Sequence, residues 1–110
     1  MHGGVDVKME AGRATAVLSG EFDMAATFTV EPRFERLLAE PELEALQIDL
    51  SRLRFIDSTG IGVLVRVTDE VRSRQLDCEI VPGPREVHRV FEVAGLADAL
   101  PFAEPGRPAD

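Results

Sequence analysis

The chain of 110 residues contains no tryptophan, no tyrosine, one cysteine (Cys78) and one lysine (Lys8). A lone cysteine cannot form an internal bridge, so the fold is not a disulfide scaffold. Six phenylalanines are the only large aromatics, which leaves little to stack on nucleic-acid bases. Basic residues number 12 against 20 acidic, for a net charge of −8. That sign repels phosphate backbones, whose binding depends on Lys and Arg displacing counterions, and it disfavours direct nucleic-acid contact. No run approaches the roughly 20 apolar residues of a membrane span, and residues 1–5 lack the basic and apolar regions of a secretion signal. A cytoplasmic protein that inserts in no membrane is expected.

Several enzyme signatures are missing as well. A phosphate-binding P-loop requires a lysine directly after its second glycine, whereas Lys8 is far from Gly60 and Gly62. A nucleophile elbow requires glycine two positions before its serine, and Ile56 stands there before Ser58. His88, among Arg85, Glu86 and Arg89, reads as a surface residue rather than a catalytic base. Two histidines and one cysteine, at positions 2, 88 and 78, show no paired metal-ligand spacing. Asp23, Asp49 and Asp57 could gather at strand ends around a hard cation, but scattered carboxylates are ordinary on an acidic protein. The sequence therefore predicts no metal, no cofactor and no catalysis.

What is present is a regular alternation of apolar patterns. Val5, Val7 and Met9 alternate with polar residues, as do Ala14, Ala16 and Leu18, with Ala11-Gly12 between them, which predicts an opening β-hairpin. Val30, Phe34, Leu37 and Leu38 recur at helical spacing over about 25–39. Pro32 favours a later start for that helix, because proline suits a first turn and kinks an interior. Leu46, Ile48 and Leu50 alternate again as a third strand, and Phe55-Ile56 continues in extended form to Asp57. From Ile61 a helix is expected with Ile61, Leu64, Val65, Val67, Thr68 and Val71 on one face and Arg66, Asp69, Glu70 and Ser73 on the other. A short strand at 78–81 ends at Pro82-Gly83-Pro84, and Val87, Val90, Phe91 and Ala94 form a last amphipathic helix that stops at Gly95. Two strands followed by alternating helices and strands predict an α/β fold: one mixed sheet of about four to five strands, covered by amphipathic helices. The whole chain, 1–110, reads as a single domain with an ordered core over 5–102 and a flexible Pro/Gly/Ala-rich tail at 103–110.

Polarity concentrates where a strand passes into a helix, at Phe55-Ile56-Asp57-Ser58-Thr59-Gly60-Ile61-Gly62. Asp, Ser and Thr are preferred just before a helix because their oxygens accept bonds from its free N–H groups, so a plain helix cap accounts for the segment. The same geometry suits an anion, either a bound ligand or a phosphoryl group carried on Ser58 or Thr59. Glycines at 60 and 62 would let another chain or a nucleotide approach the backbone.

Three segments together resemble the bacterial anti-sigma factor antagonists of the STAS family: Gly20-Glu21-Phe22-Asp23; Ile48-Asp49-Leu50-Ser51 running on to the Asp57-Ser58-Thr59-Gly60 segment; and Arg85-Glu86-Val87-His88-Arg89-Val90-Phe91 with Gly95-Leu96. The likeness extends from about Val5 to Phe102. Two positions depart from the family pattern, Ala26 where threonine is frequent and Phe22 where an aliphatic residue is commoner. The resemblance implies a STAS fold and a non-enzymatic regulator that works by partner switching. It implies that Ser58 is phosphorylated, with Thr59 as the second candidate, by a partner that is both anti-sigma factor and serine kinase of the histidine-kinase-like ATPase fold. The unmodified antagonist binds that kinase and frees a sigma factor; a metal-dependent phosphatase of the PP2C type restores the serine. Asp23, Asp57, Ser58, Thr59, Gly60, Ile61 and Gly62 are then the expected partner-binding residues. The alternative is a STAS docking subunit of a transport or signalling assembly, in which Ser58 merely begins a helix. Nucleotide binding at the glycines near 60 is a third reading.

Overall fold

The computed structural model describes residues 3–103. β1 (Gly4–Glu10) and β2 (Arg13–Phe22) form the predicted antiparallel hairpin, with Val5, Val7 and Met9 opposite Leu18, Ala16 and Ala14. Its connection has positive φ at both central residues, 52° at Ala11 and 81° at Gly12, the conformation whose twist matches that of the flanking strands. Gly12 also accepts at its carbonyl from the Glu44 N–H at 2.8 Å, which ties the turn to the chain entering the third strand.

After β2 the chain forms α1 (Met24–Leu38), β3 (Ala45–Ile56), α2 (Ser58–Ser73), β4 (Asp77–Val81) and α3 (Arg85–Val93). The sheet order is β1-β2-β3-β4, parallel at β2/β3 and β3/β4. The mixed α/β architecture is the one the patterning predicts. Successive crossovers move across the sheet in one direction, so right-handed connections place α1 and α2 on the same face, where they pack against each other. The core fills that face: Ala14, Ala16, Leu18 and Phe22 from β2, Leu46, Ile48 and Leu50 from β3, Phe34 from α1, Leu64 from α2 and Phe91 from α3 are all buried.

Three details differ from the expectations. α1 begins at Met24 and passes through Pro32 without a break. The carbonyl that loses its donor belongs to Phe28, a residue 79% exposed, so water can take the donor's place. β3 is one twelve-residue strand that continues through Phe55-Ile56 as expected. Its register against β2 shifts twice, between Val17 and Ser19 and between Gly20 and Glu21. Each bulge adds a residue to β3, so its buried positions change from alternation to Leu50, Leu53 and Ile56. Gly20, with φ 75°, supplies the backbone freedom at the second shift. In α2 the buried stripe is Gly60, Val63, Leu64, Val67, Thr68 and Val71; Val63 is added, while Ile61 and Val65 are half-buried. Ala94, expected on the apolar face of α3, is exposed just past its end.

Beyond α3, the Leu96 N–H donates to the Phe91 carbonyl (2.8 Å) and the Gly95 N–H to that of Glu92 (3.0 Å), closing the helix end. Phe102 then bridges Ile80 in parallel along the outer edge of β4. Ala103, at the start of the expected tail, is buried and donates its N–H to Ile80 at 2.7 Å. The rest of the expected tail, 104–110, lies outside the described residues.

Candidate functional site

The two bulges of β3 have a consequence at the top of the sheet. They bring β2 and β3 to an end side by side, with Phe22 paired to Ile56. The residues that follow, Asp23 and Asp57, each take extended backbone (φ −109° and −115°) and each cap the helix after it. Asp23 Oδ1 accepts from the Ala26 N–H at 3.0 Å. Asp57 Oδ1 accepts from the N–H groups of Thr59 (3.0 Å) and Gly60 (3.2 Å) and from the Thr59 hydroxyl (2.5 Å). The Asp57 N–H donates to the Phe22 carbonyl at 3.3 Å and so ties one strand end to the other. Two helix starts, each with a positive dipole end and an aspartate, thus stand together at the carboxyl edge of the parallel strands, the usual location of function in open α/β sheets.

The Thr59 hydroxyl, chief among its donors, holds the Asp57 carboxyl below the usual carboxylate range. Partial burial opposes this, and the backbone amides of Gly60, Thr59 and Met24 reinforce it. Asp57 is therefore a fixed anion across the physiological range. Ser58, the first residue of α2, is exposed, and its hydroxyl has no hydrogen-bond partner among the described residues. Thr59 is half-buried with its hydroxyl proton committed to Asp57. The two adjacent hydroxyls differ accordingly: one is free and the other serves the cap.

The glycines differ just as sharply. Gly60 is buried, and a Cβ there would lie 2.6 Å from the Phe22 carbonyl oxygen and 3.0 Å from both Ile56 Cγ1 and Phe22 Cγ. The start of α2 can press onto the ends of β2 and β3 only because this position lacks a side chain. Ile61 is half-buried against the core and extends the same packing. At Gly62 a Cβ would meet nothing nearer than Arg66 Nη1 at 3.7 Å, an ordinary contact. The fold does not need glycine there, and glycine inside a helix costs about 1 kcal/mol relative to alanine.

Three apolar side chains around this end escaped the sequence reading: Met24 is 60% exposed, Phe28 79% and Phe55 48%. Phe28 had a signal, since it falls off the helical stripe of Val30, Phe34 and Leu37. Below the helix starts, α1 and α2 enclose a groove with Phe34, Leu38, Val63 and Val67 along its floor and Glu31, Arg66, Glu70 and Arg74 at its rim. The Glu31–Arg66 ion pair spans it. The other singled-out residues lie elsewhere. The Asp49 carboxylate accepts from the Ser51 N–H at 2.8 Å, within β3 at its first bulge. The His88 ring, on α3, packs edge-on to Phe102 with centroids 4.8 Å apart. Burial pushes the Cys78 thiol up to about 11, against a smaller opposing pull from Arg72. The two helix starts present a free hydroxyl beside a fixed carboxylate.

The STAS domain pattern matches residues 9–105. The chain is 30% identical over 83 residues to the anti-sigma-B factor antagonist of Listeria monocytogenes, covering 76% of this chain and 72% of that one. Its fold superposes on an anti-sigma factor antagonist from Mycobacterium paratuberculosis with a TM-score of 0.83 at 23% identity, over 94% of this chain and 87% of that one. It also superposes on the unphosphorylated form of the anti-sigma factor antagonist SpoIIAA, with a TM-score of 0.76 at 19% identity over 93% and 90% of the two chains. The phosphorylated form of that Bacillus protein gives 0.70 at 18% identity, covering 93% of each chain. No helix among the described residues is long and apolar enough to cross a membrane. With the match spanning nearly the whole described fold, the chain belongs to the STAS-domain family of anti-sigma factor antagonists.

Proposed function

We propose that this chain is a non-catalytic, cytoplasmic switch. Unmodified, it binds an anti-sigma factor that is also a serine kinase of the histidine-kinase-like ATPase fold, and so frees a sigma factor. Phosphorylation on Ser58 releases it, and a PP2C-type phosphatase resets it. The observation that carries this reading is the contrast between neighbours: the Ser58 hydroxyl is exposed and unbonded, while the Thr59 hydroxyl is tied to Asp57. A phosphate on Thr59 would displace a cap donor and set a dianion against a carboxylate, whereas one on Ser58 leaves the cap bonds in place.

A phosphoryl group adds about −1.5 to −2 charges at neutral pH. On Ser58 that charge stands next to ionised Asp57, on a surface that also carries Met24 and Phe28. Burying it against a partner with no basic group opposite brings repulsion and desolvation together. Moving the complex from 99% bound to 99% released requires roughly 5.5 kcal/mol of differential affinity. The positive end of α2 accommodates the phosphate, so release needs no change of fold.

The reading is tested by incubating the chain with ATP and its kinase and mapping the modified residue by fragmentation mass spectrometry. A single phosphoryl group on Ser58 is expected. In a pull-down, Ser58→Ala stays on the kinase in the presence of ATP and Ser58→Asp is recovered without it. Equal retention of both variants contradicts the switch, and no incorporation at all favours the constitutive docking subunit.

A further inference from the structure

On the solvent side of the α1–α2 pair, two columns of residues run level. Glu31 and Arg66 join the helices. Gly62 is one turn before Arg66 and in line with it, since its nearest neighbour beyond the helix backbone is the Arg66 guanidinium. Ser58 is one turn earlier again. On α1, Phe28 and then Met24 precede Glu31 at the matching helical spacing. Both helices descend from the paired ends of parallel strands and run in the same direction, so counted from their starts Phe28 and Gly62 fall on the same turn, as Met24 and Ser58 do one turn earlier. The fold explains neither Phe28, 79% of which faces solvent, nor a glycine where a Cβ would fit.

We propose that Phe28 is a docking determinant for the kinase that modifies Ser58: the phenyl ring fills an apolar pocket on that kinase, whose surface also packs on the bare backbone at Gly62, already expected from the family resemblance to bind the partner. This inference rests on the function proposed above. The occupant follows from distance, because four residues of helix advance about 6 Å. A protein that seats the Ser58 hydroxyl against bound ATP therefore covers the next turn. In that step Ser58 Oγ bonds to the γ-phosphorus, the bond from that phosphorus to the ADP oxygen breaks, and the hydroxyl proton passes to a base on the kinase. Aromatic side chains, phenylalanine among them, are enriched at the buried centres of protein interfaces relative to the rest of the surface.

The test uses the full chain, an extract of its source cells supplemented with ATP, the initial rate of phosphoryl incorporation at Ser58, and the Tm of each variant. Phe28→Ser and Gly62→Ala are expected to slow incorporation at least tenfold. Gly62→Ala should meanwhile raise Tm by about 4 °C through helix propensity. Val93→Ser, which removes an equally exposed apolar side chain at the far end of α3, should leave the rate unchanged. Incorporation into Phe28→Ser and Gly62→Ala within twofold of the unaltered chain overturns the inference, as does a lowered Tm for Gly62→Ala. Failure of the unaltered chain to gain phosphate at Ser58 overturns the functional reading and this inference with it.

Discussion

Alanine at Gly60 and alanine at Gly62 should move stability in opposite directions, although the two positions share one helix turn. Helix propensity favours the change equally at both, by about 1 kcal/mol. At Gly62 nothing opposes it, because the nearest atom to the new Cβ is the mobile end of Arg66 at 3.7 Å. At Gly60 the new Cβ would lie 2.6 Å from a backbone oxygen and 3.0 Å from the Phe22 ring, so it would need nearly an ångström more room. Phe22 is 1% exposed and Ile56 3%, and neither can swing aside. Overpacking of this kind costs typically 1 to 3 kcal/mol, and the upper end applies where the obstacle is backbone. Gly60→Ala should therefore destabilise by about 2 kcal/mol net and Gly62→Ala stabilise by about 0.5 to 1, a separation near 3 kcal/mol. Urea unfolding followed by far-ultraviolet circular dichroism measures both, since the chain has no tryptophan to report by fluorescence. Equal effects at the two positions would refute the packing argument that assigns Gly60 to the fold.

Two further outcomes follow from local geometry. Thr59→Val removes the hydroxyl that does most to favour the Asp57 carboxylate while keeping the backbone cap bonds. Because the folded-state pKa is depressed, that contribution is complete above the unfolded value of about 3.9 and disappears as pH falls through the lower folded value. The variant should thus lose about 0.5 to 1 kcal/mol at pH 7, and the loss should shrink below about pH 4; a pH-independent difference from urea titrations would contradict the assignment. Ala11→Asn places a residue that tolerates positive φ where alanine is held at 52°, and should raise stability by roughly 1 kcal/mol, read as a Tm increase of about 4 °C.

Much of the fold is readable from local pattern. Val5, Val7 and Met9 set the first strand, Ala14, Ala16 and Leu18 the second, and the switch to helical spacing after Asp57 marks α2. What local pattern misses is long-range. The buried residues Leu50, Leu53 and Ile56 match neither a strand nor a helix period, because two bulges against β2 set them and nothing within β3 announces the partner. Pro32 by itself favours a later helix start, yet tertiary packing of Val30, Phe34 and Leu37 outweighs the one missing bond. At the site, Asp57 as a cap could be read from its neighbours. Its adjacency to Asp23 could not, since it depends on Phe22 pairing with Ile56 across an intervening helix. The difference between the hydroxyls of Ser58 and Thr59 likewise arises only in the folded chain, because either residue type can cap or be modified. The two glycines look alike in sequence and are told apart only by what surrounds each.

The central claim is that a phosphate on Ser58 decides whether another protein can cover the starts of α1 and α2. Its most direct test is calorimetric titration of the anti-sigma factor with this chain, once unmodified and once stoichiometrically phosphorylated on Ser58. Saturable binding by the unmodified form and a loss of roughly 10⁴-fold in affinity on phosphorylation are predicted. The same affinity for both forms would contradict the claim.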